Sequence, residues 1–117
     1  MIWAAMLLLA AAGESPDFFR ERVEPILRKN CLSCHNHELD DGDISFEDRE
    51  TLLRDRPKGG PAVVPGAPEK SALVRAIRHD GDVQMPPGKK LSQDDIDTLI
   101  EWIKRGAPWS RQEEGRK

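Results

Sequence analysis

Apolar residues recur at helical spacing along this chain, and no stretch alternates as a strand would. Phe19, Val23, Ile26 and Leu27 share one face of a first helix. Ser15 reads as its N-cap and Pro16 as its first residue. Pro25 interrupts the pattern, and proline both lacks an amide hydrogen and crowds the carbonyl one turn back, so the helix should kink or restart there. Ile96, Leu99, Ile100 and Ile103 define the clearest helix. Ser92 with Asp95 opens it as a capping box would. Lys104 and Arg105 suit the negative end of its dipole, and Gly106 followed by Pro108 closes it. Leu73, Ala76 and Ile77 mark a helix from near Pro68, and a short helix is expected around Asp48 to Arg54. Between these lie the acidic, turn-rich residues 37–50 and two Pro/Gly-punctuated loops, "RPKGGPAVVPGAPEK" and "HDGDVQMPPGKK". The pattern predicts one all-α domain.

The N-terminus changes that picture. Residues 2–12 are an apolar run of signal-core length, followed by small residues. The run is shorter than the roughly 20 residues needed to span a bilayer. No Lys or Arg precedes it: either the start is misassigned or the free amino group is its one positive charge, and a buried N-terminal helix is the alternative to a signal. We read residues 1–13 as a signal peptide, 14–109 as the domain and 110–117 as a polar tail. The expected location is periplasmic or otherwise extracytoplasmic, with no stable membrane insertion after cleavage. A net charge of −3 and a sequence pI of about 5.6 argue against nucleic acid as a partner. Hydrophobic residues make up only 38%, a thin core that wants a cross-link, a metal or a cofactor.

The chemistry concentrates in "CLSCHNH", Cys31 to His37, which holds both cysteines and two of the three histidines. Four readings compete. C-x-x-C-H is the pattern of covalent haem attachment, with Cys31 and Cys34 as thioether anchors and His35 as iron ligand. Zinc could draw on Cys31, Cys34, His35 and His37, but structural zinc sites usually close with ligands from separated segments. A redox dithiol would sit near a βαβ pattern, and none is present. A plain disulfide suits an exported chain but leaves His35 without a purpose. Haem attachment uses all three residues. No nucleophile–base pair or carboxylate pair is identifiable, so catalysis is not expected.

An iron ligated by His35 has a second face to fill. With residues 1–13 removed, Met85 is the one methionine left. It stands in "DVQMPPGKK", a polar loop with no apolar helix face, where a packing role is hard to assign and a ligand role is not. His79 is the rival ligand, and an open position is the third option.

The motifs "ERVEPILRKNCLSCH", "VVPGAPEKSALVRAIRH" and "MPPGKKLSQDDIDTLIEWIKRGAPW" together resemble the planctomycete-type cytochrome c domain, and their order resembles that of class I c-type cytochromes. The resemblance runs from about Asp17 to Trp109. It implies a small helical fold wrapped around one covalently bound haem c, with His35 and Met85 as axial ligands. The function it implies is single-electron transfer between extracytoplasmic redox proteins. The alternatives are an electron-input or regulatory haem domain of a larger extracytoplasmic enzyme, and a peroxidase or gas-sensing domain with a displaceable distal ligand.

Other residues read as supporting. Trp102, Trp109 and Phe18 or Phe19 are expected to pack the first helix on the last. A carbonyl from Pro65–Gly66 is a candidate partner for the free nitrogen of His35. Lys89 and Lys90 flank Met85, either as solvated charges or as a rim for an acidic redox partner.

Overall fold

The first helix solves its proline problem by widening. In a computed structural model, which describes residues 17–36, 38–39 and 44–110, helical backbone begins at Asp17. Ser15, Pro16, the 1–13 segment, His37 and residues 111–117 lie outside the described residues. Phe19–Val23 forms a π-helical turn and α1 follows over Glu24–Asn30. Pro25 cannot donate to Glu21, and in α geometry its ring would meet that carbonyl. The Glu24 N–H instead bonds the Phe19 carbonyl, five residues back. The extra residue in the turn lets both segments keep their apolar faces inward, and Phe19, Val23, Ile26 and Leu27 are all buried.

Three further helices follow. α2 is the short Arg49–Leu53, opened by Asp48, whose carboxylate accepts the Thr51 N–H at 3.0 Å. The helix expected from Pro68 is two pieces: a 3₁₀ turn over Pro68–Lys70 and α3 over Ala72–Arg78. Ser71 divides them. Its backbone is extended, and its hydroxyl accepts the Val64 N–H at 2.8 Å and donates to the Ala67 carbonyl at 3.0 Å. A buried side chain bonded that way competes with the helix ladder. α4 runs Gln93–Lys104, and the Ser92 hydroxyl caps it by accepting the Asp95 N–H at 3.1 Å. Gly106, at φ 95°, then turns the chain where an L-side chain would be strained. No sheet forms among the described residues, so the fold is helical as expected. No described helix is long and apolar enough to cross a membrane.

The core lies between the first helix and α4. Phe19 stacks tilted on Trp109 at 4.5 Å and on Trp102 at 5.9 Å, while the two indoles stand 6.2 Å apart. Phe18, next door, packs only partly and carries the Arg105 guanidinium 4.0 Å above its ring. Behind this aromatic group the core runs through Leu99, Ile103, Val74 and Ile77 to Leu52 and Cys31. Ala62 and Val63, from the Pro/Gly loop, belong to it as well. That loop is stitched in place by Val63 N–H to Leu52 O and Leu73 N–H to Ala62 O, both 2.9 Å. Arg49 closes the far side, donating to the carbonyls of Ala107 at 2.8 Å and Gly106 at 3.0 Å.

Candidate functional site

The CLSCH segment is the turn that ends α1. Cys31 and Leu32 both donate to the Leu27 carbonyl at 2.9 Å, and Cys34 and His35 both donate to the Cys31 carbonyl. The two thiols therefore stand on one turn with the imidazole directly after. Asn36 locks the exit. Its side-chain oxygen accepts the N–H groups of Glu38 and Leu39, and its amide donates to the Leu32 carbonyl at 2.7 Å.

The thiols differ in environment. Cys31 is buried within the core and Cys34 is exposed, and neither is in a disulfide. Burial, and to a lesser extent the charge of Cys34, push the Cys31 thiol up from 9.0 to about 12. Buried thiols of this kind are poor nucleophiles, and Cys34 is the accessible one of the two. Among the described residues, no three His, Cys, Asp or Glu side chains converge as a metal site, while His37 of the zinc reading lies outside them.

His35 is held firmly. Its carbonyl accepts the Phe46 N–H at 2.7 Å, and its ring meets the Phe46 ring edge-on, centroids 5.7 Å apart. The residue is buried, yet its Nδ1 has no hydrogen-bond partner among the described residues. The carbonyl expected from Pro65–Gly66 does not reach it, and the Gly66 N–H is committed to Ile103 O at 2.7 Å. Leaving such an atom unpaired costs about 1–3 kcal/mol. Proteins tend to keep orphans of this kind where function uses the group. An oriented, buried imidazole beside two unpaired thiols on one turn has the donor set of a covalently anchored haem, and the residues fit that group.

Met85 comes from a different segment of the chain. The loop after α3 brings it back onto the end of that helix, where the Met85 N–H bonds the Ala76 carbonyl at 3.0 Å. Its side chain is half-buried and the following Pro86 is buried, while Lys89 and Lys90 are exposed. His79 stands at the C-terminus of α3, and its Nε2 lies 3.2 Å from the Met85 carbonyl oxygen. Cys31, Cys34 and His35 are thus brought together on one turn, whereas Met85 and His79 form a second, separate group. Phe46 and the His79–Met85 contact carried no signal in the sequence, because each depends on pairings across loops, whereas the Asn36 turn is local and sequence reasoning missed it.

Comparison with known proteins bears on the same residues. No curated protein and no solved structure matches the chain. The family model described as Planctomycete cytochrome C matches residues 31–89, a span of about half the chain that begins at Cys31 and includes His35, His79 and Met85. On that match the chain belongs to the planctomycete cytochrome c family.

Proposed function

We propose that the protein is an exported monohaem c-type cytochrome that passes single electrons between extracytoplasmic redox partners. The family implies haem c and an electron carrier rather than an enzyme. The observation that carries the finer reading is the buried His35 imidazole, with its unpaired Nδ1, on one turn with two unpaired thiols. Cys31 and Cys34 are the anchors. They would hold the haem covalently as two thioethers, one to each vinyl group, a linkage that needs no oxidant. His35 is the proximal ligand, its ring braced by Phe46. Met85 is the distal ligand, delivered by the loop between α3 and α4. Bound haem supplies a one-electron iron couple, and a thioether ligand raises its potential. The protein's remaining task is to bury the group and to present an edge to partners.

Expression with a haem c maturation system tests this directly. After acid–acetone extraction and denaturing electrophoresis, haem peroxidase staining should stay with the protein band, at one haem per chain. The Cys31→Ser, Cys34→Ser double variant should run unstained. Colour that extracts completely from the wild type, or bound zinc without haem, would overturn the assignment.

Lys89 and Lys90 stand exposed beyond Pro86 and Pro87 and make a basic rim for an acidic redox partner. Charge complementarity of this kind acts mainly on association rate. Electron-transfer rates to an acidic acceptor should fall with salt, and should fall again in Lys89→Glu, Lys90→Glu. Rates indifferent to both changes would return these lysines to ordinary solvated surface.

A further inference from the structure

The loop that carries Met85 has little of its own to hold it. Asp80, Gly81, Asp82, Val83 and Gln84 are all exposed, so no buried side chain fixes their path. What fixes Met85 is hydrogen bonding to the end of α3. That helix ends in a left-handed residue, His79 at φ 60°. The His79 N–H bonds Ala76 O and the Asp80 N–H bonds Arg75 O, both 3.1 Å, which is a Schellman closure. The Ala76 carbonyl then accepts a second donor, the Met85 N–H at 3.0 Å. The Met85 carbonyl faces the His79 ring, with Nε2 at 3.2 Å. A carbonyl only accepts, so Nε2 carries the hydrogen and donates. Both backbone polar atoms of Met85 are therefore held by the last turn of α3.

This changes the reading of His79. Its Nε2 is occupied by a carbonyl, and glycine is the usual residue at a left-handed helix cap. The ring does what glycine could not.

We propose that His79 is a positioning residue: its Nε2–H bond to the Met85 carbonyl, with the Ala76 bond to the Met85 N–H, fixes the backbone from which the Met85 thioether reaches iron. The proposal rests on Met85 being the axial ligand. A methionine on an exposed loop exchanges off the metal readily unless its backbone is restrained. The His79 bond is the restraint contributed by a side chain, and so the one a substitution can remove.

Three variants of the haem-loaded protein separate the positioning role from the capping role. His79→Gly keeps the left-handed backbone and removes the ring. His79→Asn also tolerates that backbone but ends one bond short of the carbonyl. His79→Gln places an amide donor as many bonds from Cβ as Nε2. In His79→Gly and His79→Asn, the ferric population without the near-infrared sulfur-to-iron charge-transfer band should rise about five- to tenfold, the factor carried by one hydrogen bond. The potential should fall, and carbon monoxide should bind the ferrous form faster. His79→Gln should return all three readouts most of the way to wild type. A merely structural cap would leave band and potential unmoved in His79→Gly. Met85→Ala is the control. If Met85→Ala keeps the band, the axial assignment fails and this proposal with it. If Met85→Ala loses the band while His79→Gly and His79→Asn keep wild-type band and potential, the assignment stands and the positioning role is overturned.

Discussion

Met85→Ala is expected to abolish the sulfur-to-iron charge-transfer band of the ferric protein, lower its potential and open the ferrous form to carbon monoxide. The family implies haem c, and His35, on the CLSCH turn, is the proposed ligand at one axial position. The second must come from a different segment. Met85 is the proposed source: it is only half-buried, yet its N–H and C=O are both bonded to the end of α3. A thioether favours ferrous over ferric iron, and the range accessible through axial ligands is about 0.8 V, so the change should be large against measurement error. Met85→His should restore six-coordination without the band. The rival is ligation by His79. If Met85→Ala retained band and potential while a His79 substitution disturbed the iron, the protein would be a bis-histidine cytochrome. The bond from His79 Nε2 to the Met85 carbonyl weighs against that outcome, because the same nitrogen would have to give up its hydrogen to bind metal.

Much of this was legible in the sequence because much of it is local. C-x-x-C-H folds within one turn, so its reading needs no tertiary information. α4 announces itself by period, and Ser92 and Gly106 end it where their chemistry requires. Asp48 caps α2 within the expected bounds. The proline in the first helix signalled a disturbance but not its form, since a kink, a restart and a π turn all satisfy a missing donor. What stayed hidden depends on residues far apart in the chain. Ala62 and Val63 lie in a loop without periodicity, so nothing marked them as core. Ser71 divides a helix because its hydroxyl finds Val64 and Ala67. Phe46 braces His35 from across the acidic segment. His79 drew notice as a spare ligand. Its bond to the Met85 carbonyl exists only because the loop returns to α3.

Trp102→Ala is expected to remove a large share of the stability of the domain. Trp102 is fully buried in α4, against Phe19 from the first helix and Trp109 from the chain after α4, which also stack on each other. Its indole N–H donates to the Pro108 carbonyl at 2.7 Å. Truncation of a buried tryptophan to alanine costs about 3–5 kcal/mol through lost transfer energy and the cavity left behind. The Pro108 carbonyl would lose its donor as well, adding about 1 kcal/mol or more. Domains of this size hold about 5–15 kcal/mol in total, so the variant should lose a large share of that, and all of it at the low end of the range. Trp102→Phe keeps most of the ring and loses only the N–H and part of the area, so it should cost markedly less. Trp109→Ala should fall between the two, because that ring is less completely enclosed. Denaturant unfolding followed by circular dichroism measures all three. The consequence reaches the haem site through the fold: Phe19 and Leu27 lie on the helical segment that ends in Cys31, and α4 is the surface against which that segment packs. A Trp102→Ala protein within about 1 kcal/mol of wild type would mean that the aromatic group is not the brace that holds the CLSCH turn in place.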